Sequence, residues 1–518
     1  NKYIFAIKYF NQVMKRILFL CMIALFAVSC SKKVKVSGVI KNGSPLERVE
    51  FIDASGVATL PLINMGVDAK GNFTGEFEAP KNGMYAMTYA GQMAFVYLKK
   101  GQSLNISGDA MSFPNVFTIQ GDAKANNDFL KETQAYMEQY LGKLDMSIIS
   151  KDEKSFLAQV KKINDDLTKN IDDAASKTKA DSDVVTLKKD ELKTHILTFL
   201  SQYEANHGEA VQQSNFKVST AFKDYTKSLE ADGDKMIKNL PLYRNYLLNK
   251  IGNDFQKFAL AQSDKNTASM SSIFAKYLKG KSEYSQDTKD YLLAFVISKF
   301  DLNPFADNTE AIIKVADDNI KNPEVKKDLK AAFDAVYGLK KGTDAPASAL
   351  LKADGKSTTL ADFKGKPTLV VTYASWNPYI AQSTIPVLKE VVEYYKSKMN
   401  IVLVNLDDTK AQFDKTYPTL MKGISGVNVY AEGGLNSKFA KDYSVFGFKI
   451  PGFTLLDKDG KIAGPTYYNL GEQKFIEILS KLTGIAAPAA PEAQVAPDWN
   501  GQQTAPAPQP EAAQPKTK

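Results

Sequence analysis

The chain has 518 residues, too many for one hydrophobic core, and at roughly one domain per 100 to 200 residues it should form three. Apolar residues make up 44% and charged residues 24%, a globular composition that excludes wholesale disorder. The formal charge of +8 is no nucleic-acid signature: Lys2, Lys8, Lys15 and Arg16 all precede Cys30, and elsewhere Lys alternates with Asp and Glu without a basic, aromatic-interleaved stripe.

Both cysteines, Cys21 and Cys30, fall in the N-terminal hydrophobic segment. Met14-Lys15-Arg16 is a positive start, and Ile17 to Val28 is an apolar run shorter than the roughly 20 residues of a spanning helix. The run ends in Ala27-Val28-Ser29-Cys30, which resembles the lipobox of bacterial lipoproteins. The resemblance implies cleavage before Cys30 and a diacylated thiol, and more than one acyl chain suffices for a stable membrane anchor. A transmembrane anchor, or a cleaved signal with a chance cysteine, is the alternative. Residues 1–29 are thus read as upstream residues plus signal peptide. Ser31-Lys32-Lys33 lacks the acidic cluster that accompanies surface export in the Bacteroidetes-type lipoproteins this chain resembles, so the expected location is a periplasm-facing membrane of the cell envelope.

Residues 30–120 alternate with the period of strands, and an N-terminal antiparallel β-sandwich is expected. Val34, Val36 and Ile40 share a face, and Asn42-Gly43 reads as a hairpin turn. Further strands are expected at 49–52, 73–77, 84–89, 95–98, 104–106 and 116–119.

Residues 121–340 change to helical periodicity. Phe129, Thr133, Tyr136, Met137 and Tyr140 form one stripe, and Phe156, Val160, Ile163, Leu167 and Ile171 the next. Breaks are expected near Gly208, Gly233, Gly252 and Asn303-Pro304. The two histidines, His195 and His207, lie here without cysteine companions, and the default for each is surface or core packing; no metal site and no cofactor is expected. Residues 484–518 are Ala/Pro/Gln-rich and are expected to form a disordered tail.

Residues 341–483 alternate strand and helix in the α/β manner. Thr368 to Tyr373 is a continuous apolar, β-branched run fit for a doubly covered strand. Ala374-Ser375-Trp376 opens a loop, Thr384-Ile385-Pro386 enters an amphipathic helix, and 401–406 is a second buried strand. Farther on, Ile450-Pro451-Gly452-Phe453-Thr454-Leu455-Leu456 is followed by Asp457-Lys458-Asp459-Gly460. The last four residues read as a hairpin, since the remaining ligands and closing Glu of a calcium loop are missing.

These strings resemble the membrane-anchored thioredoxin-like family that includes cytochrome-maturation reductases and the alkyl hydroperoxide reductase/thiol-specific antioxidant group. The resemblance implies a thioredoxin-like α/β fold, a cis bond before Pro451, and a redox Cys-x-x-Cys directly after Trp376. Here Trp376 is followed by Asn377-Pro378-Tyr379-Ile380, so Asn377 and Ile380 stand where the two thiols would be. A carboxamide cannot do thiolate chemistry, and peroxidase chemistry fails with the same missing thiol. The acid expected a turn later has no counterpart, since Gln382 and Ser383 stand near its place, and the spacing to Pro386 is one residue longer than usual. Ser375, Ser383 and Thr384 have no histidine in the domain to serve as base; helix capping is the expectation for Ser383 and Thr384.

The whole is therefore expected to be a multidomain α+β protein: sandwich, helical middle, and a thioredoxin-like domain with no catalytic residues. The expected function is to bind or scaffold a protein or peptide partner in the groove of Trp376, Asn377, Tyr379, Ile450 and Pro451, where backbone pairing with an extended segment needs no thiol. The rival function, implied by family likeness alone, is a thiol-disulfide oxidoreductase or antioxidant.

Overall fold

A computed structural model describes residues 33–265, 267–303 and 308–487 of the chain. Cys30, the apolar segment before it and all but the first residues of the Ala/Pro/Gln-rich tail lie outside the described residues. Among those described, no helix is long and apolar enough to cross a membrane.

The N-terminal part is a sandwich of two four-stranded sheets. One has the order β4 (Asn72–Glu78), β1 (Lys33–Lys41), β7 (Ser103–Asp109), β8 (Phe117–Gln120). The other has the order β3 (Pro61–Gly66), β2 (Arg48–Asp53), β5 (Gly83–Tyr89), β6 (Gln92–Leu98). Alternation puts Val34, Val36, Phe73, Phe77, Leu104 and Ile106 of the first sheet against Val49, Phe51, Tyr85 and Met87 of the second. Pairing is antiparallel except between β1 and β7, which run parallel. Strand β3 is an addition to the sequence expectation. The Asn42-Gly43 reading needs correction. Asn42 does adopt positive φ (57°), but β1 and β2 belong to different sheets, so the turn carries the chain across the sandwich rather than closing a hairpin.

The middle part is helical from α1 (Lys124–Leu141) through α2 (Glu153–Thr178), α3 (Ser182–Ala210), α4 (Thr220–Leu229), α5 (Gly233–Asn239), α6 (Pro241–Leu260), α7 (Met270–Lys279), α8 (Gln286–Val296) and α9 (Thr309–Asn319) to α10 (Pro323–Tyr337). The stripe Phe156, Val160, Ile163, Leu167 and Ile171 is buried throughout, whereas Tyr136 is exposed. Gly252 lies inside α6 and breaks nothing, because its neighbours Tyr246, Leu247 and Ile251 bury one continuous face. His207 is a core residue stacked on Tyr203, its Nδ1 2.9 Å from the Ile149 carbonyl oxygen, and His195 lies on the surface. Arg244 of α6 joins this part to the sandwich. It is 1% exposed and donates to the carbonyls of Ser55 (2.7 Å), Gly56 (3.3 Å) and Ile237 (2.8 Å).

The C-terminal part is a six-stranded sheet of order β10 (Ser357–Thr358), β9 (Leu350–Lys352), β13 (Val427–Tyr430), β12 (Asn400–Asn405), β11 (Thr368–Tyr373), β14 (Gly452–Leu456). Strands β11, β12 and β13 are parallel, and β14 and β9 run against them. Every residue of β11 is buried, as its unbroken apolar run requires of a strand covered on both sides. Helices α11 (Ile385–Tyr395) and α14 (Gln473–Thr483) cover one face through Leu388, Val392, Phe475 and Leu479. Helix α13 (Lys438–Asp442) covers the other through Phe439 and Ala440, and α12 (Lys410–Leu420) follows β12.

Candidate functional site

The site is built at the C-terminal ends of β11 and β12, where open α/β sheets place their ligands. The chain leaves β11 at Tyr373 and turns through Ala374-Ser375-Trp376-Asn377. Beneath this turn lies Asp407, fully buried at the end of β12, whose carboxylate accepts from the Ser375 N–H (2.6 Å), Asn405 Nδ2 (3.1 Å) and Thr416 Oγ1 (3.0 Å). Sequence reasoning sought an acid after the loop and missed this one, which sits under it. Three donors make Asp407 an anchor of the loop.

Asn377, which the sequence reading sets at the nucleophile position, is occupied on both ends of its carboxamide. Its Oδ1 accepts from the Tyr379 N–H (2.9 Å), capping the helix that starts there, just after Pro378. Its Nδ2 donates to the Ile450 carbonyl (2.9 Å), fastening the loop to the segment before Pro451. The Ile450–Pro451 bond is cis. Ile450 is extended (φ −120°, ψ 141°) with its side chain buried, and its N–H meets no acceptor among the described residues.

The additional residue before Pro386 is absorbed in one π-helical turn, Ile380–Thr384. Ile380 and Ile385, five apart, are both buried at 1% and 7% exposure. This corrects the capping role expected of Ser383 and Thr384: both lie within the helical run, neither caps it, and the cap is Asn377. Gln382 and Ser383 are exposed.

Trp376 is half-buried, and its indole N–H has no partner among the described residues. Its ring is covered by the sandwich. Arg48 of β2 lies 4.4 Å from the ring centroid, and its two terminal nitrogens hold Asp408 at 2.5 and 2.8 Å. Beside it Asn64 of β3 and Asn436 exchange two hydrogen bonds, Asn64 N to Asn436 Oδ1 (2.9 Å) and Asn436 Nδ2 to Asn64 O (2.7 Å). Arg48, Asn64, Asp408 and Asn436 had no sequence signal, because they meet across about 360 residues and follow no local spacing. Beyond the covered tryptophan, Tyr379 and Phe448 remain 69% and 66% exposed on the same loop cluster. Lys449 is largely buried without an acidic partner among the described residues, and burial lowers its ammonium pKa to about 8.

The structure thus brings together Trp376, Asn377, Tyr379, Ile450 and Pro451 around one loop cluster, with Ile380 buried behind it. Among the described residues no group of three His, Cys, Asp or Glu side chains is placed to hold a metal.

The Redoxin family model matches residues 340–474. The chain is 26% identical over 151 residues to thiol-disulfide oxidoreductase ResA of Bacillus thuringiensis, covering 27% of this chain and 78% of that protein. It is 27% identical over 132 residues to the rice thioredoxin-like protein HCF164, chloroplastic, covering 25% of this chain and 39% of that protein's length. Among solved structures, the C-terminal domain of a candidate thiol-disulfide oxidoreductase from Bacteroides thetaiotaomicron is 31% identical, with 28% of this chain and 98% of that one covered at a TM-score of 0.25. By its sheet order and by the Redoxin match across residues 340–474, the C-terminal domain is a thioredoxin-like domain.

Proposed function

We propose that this is a lipid-anchored protein of the cell envelope, held by an acylated Cys30, whose thioredoxin-like domain binds an extended segment of a protein partner without exchanging electrons. One observation carries the reading: Asn377, which the family likeness sets in the place of the nucleophilic thiol, spends its carboxamide on the Ile450 carbonyl and the Tyr379 N–H. Disulfide exchange needs an ionisable thiol there, and no cysteine follows Cys30 in the sequence. Support for binding comes from the extended Ile450 with an unused N–H, and from the exposed aromatic rings of Tyr379 and Phe448 beside it. A carbonyl keeps a second lone pair after accepting from Asn377, so Ile450 retains one donor and one acceptor for a peptide strand.

The protein should show no turnover of disulfide or peroxide substrates, and measurable activity would favour the thiol-disulfide oxidoreductase reading instead. Crosslinked pull-down from envelope extract, wild type against Tyr379→Ala/Phe448→Ala, tests the groove; equal recovery of every partner refutes it. For the anchor, Cys30→Ser should abolish acyl labelling and release the protein from membranes.

A further inference from the structure

The three parts of the chain meet around a cavity of about 250 Å³ that is separate from the groove at Pro451. Its walls include Glu50 and Leu62 of the sandwich, Ala331 and Asp334 of α10, and Leu435 and Phe446 of the thioredoxin-like domain. Ligand sites favour such junctions, where apolar walls surround a few polar groups. The volume lies below the usual range for drug-sized ligands, so an occupant must be small.

We propose that this junction binds a small organic ammonium ion on a short apolar stem, with Glu50 as its counter-ion. Glu50 is half-buried, and one oxygen accepts from Asn64 Nδ2 at 2.5 Å. Its other oxygen has no partner among the described residues, and no cation lies within ion-pair distance there. Arg48, two residues away, cannot serve because its terminal nitrogens are held by Asp408 across the domain boundary. A largely desolvated carboxylate with a single amide partner is costly, and a hydrogen-bonded cation offsets that cost. Burial accordingly holds the Glu50 carboxyl above the usual carboxylate range, against the opposing pull of Asn64 and Arg48.

The other charges around the cavity leave Glu50 to set the sign of the ligand. Asp334 on the helical wall is already paired with Lys330 at 2.6 Å, while Lys441 on the opposite wall is exposed and makes no ion pair with Glu50. An anion would have to approach the Glu50 carboxylate, which no ion pair neutralises among the described residues. Leu62, Leu435 and Phe446 offer the stem its apolar surface. Gly447 lines the same cavity, and a Cβ there would stand 3.2 Å from Asn64 Nδ2 and 3.5 Å from Glu50 Oε1, so the backbone approaches the polar pair closely.

The test uses the full chain, with phenethylamine as probe and 2-phenylethanol as its neutral counterpart, read by calorimetry and ligand-observed NMR. The expected result is saturable binding of the amine, with 2-phenylethanol at least about tenfold weaker. Glu50→Gln should weaken the amine by about tenfold or more, and Ala331→Phe should block it by filling the cavity. Because Ala331 is solvent-exposed, the second variant stays informative if the first fails to fold. Binding should also fade on acidification at a pH above the ordinary carboxylate range, as Glu50 takes up its proton. No saturable binding, equal binding of amine and alcohol, or undiminished binding by both variants would overturn the proposal.

Discussion

Arg48 lies 4.4 Å from the centre of the Trp376 ring while both its terminal nitrogens grip Asp408. A residue of the second sandwich strand thereby covers the aromatic side chain of the loop that follows β11. The pair is mostly withdrawn from water, the Arg48 side chain being 11% and the Asp408 side chain 28% exposed. Arg48→Ala should therefore cost about 2 kcal/mol, between the values for exposed and fully buried pairs, and shift the emission of Trp376. Arg48→Lys should recover little, because an ammonium cannot both fork onto a carboxylate and lie flat on an indole. Urea unfolding followed by tryptophan fluorescence checks both, and an unshifted emission in Arg48→Ala would contradict the stacking.

Asn377 serves as cap and crosslink together. Replacing it with Ala removes the acceptor for Tyr379 N–H and the donor to Ile450 O, for a loss of about 2 kcal/mol. Asn377→Asp keeps the acceptor and loses the donor, so it should recover about half. Thermal melts of the two variants separate the contributions; equal losses would mean that the cap contributes nothing.

Much of this architecture was legible in the sequence, and the parts that were not share a cause. Alternation located Val34, Val36, Phe73 and Phe77, and the unbroken run Thr368 to Tyr373 announced a strand covered on both faces, because burial acts on each residue locally. Strand β3 escaped because Leu62, Ile63, Asn64 and Met65 do not alternate; the strand is an edge whose polar Asn64 is buried by a distant domain. Asn377-Pro378 is itself a helix-start signal, an N-cap residue followed by Pro, but family likeness drew attention to the missing cysteine instead. Asp407 and Asp408 sit side by side and do unrelated work, one holding Ser375 and the other Arg48, which no spacing rule foretells.

The π turn at Ile380–Thr384 makes a separate prediction. It exists because one residue more than an α-helix needs separates the buried Ile380 from the buried Ile385. Deleting the exposed Gln382 should bring the two to ordinary helical spacing and leave stability within about 1 kcal/mol of wild type. Ile380→Ala, in contrast, should cost about 2 to 4 kcal/mol by opening a cavity. A deletion as damaging as the alanine variant would show that the wide turn is needed for the fold.

Lys449 gives stability a pH dependence of known sign. Its ammonium is largely buried, lies 5.8 Å from the Tyr468 ring centre and has no carboxylate partner among the described residues, so burial lowers its pKa from 10.5 to about 8. The folded protein releases this proton near pH 8, whereas the unfolded chain keeps it to about 10.5. Within that window the unfolded state binds more protons, and stability must rise with pH. Below it, the full cost of the buried charge is present in the native state. The Tyr468 phenol, pushed up from 10.0 to about 12 by partial desolvation, acts oppositely above pH 10, where unfolded tyrosines ionise first, so the rise should be confined to the interval between about pH 8 and about pH 10. Lys449→Met removes the titrating group while keeping the apolar stem. Denaturation midpoints of wild type and variant at about pH 7.5 and about pH 9.5 should converge as the pH rises, the wild type gaining and the variant staying flat; parallel curves would mean that the Lys449 amine is solvated in the folded protein.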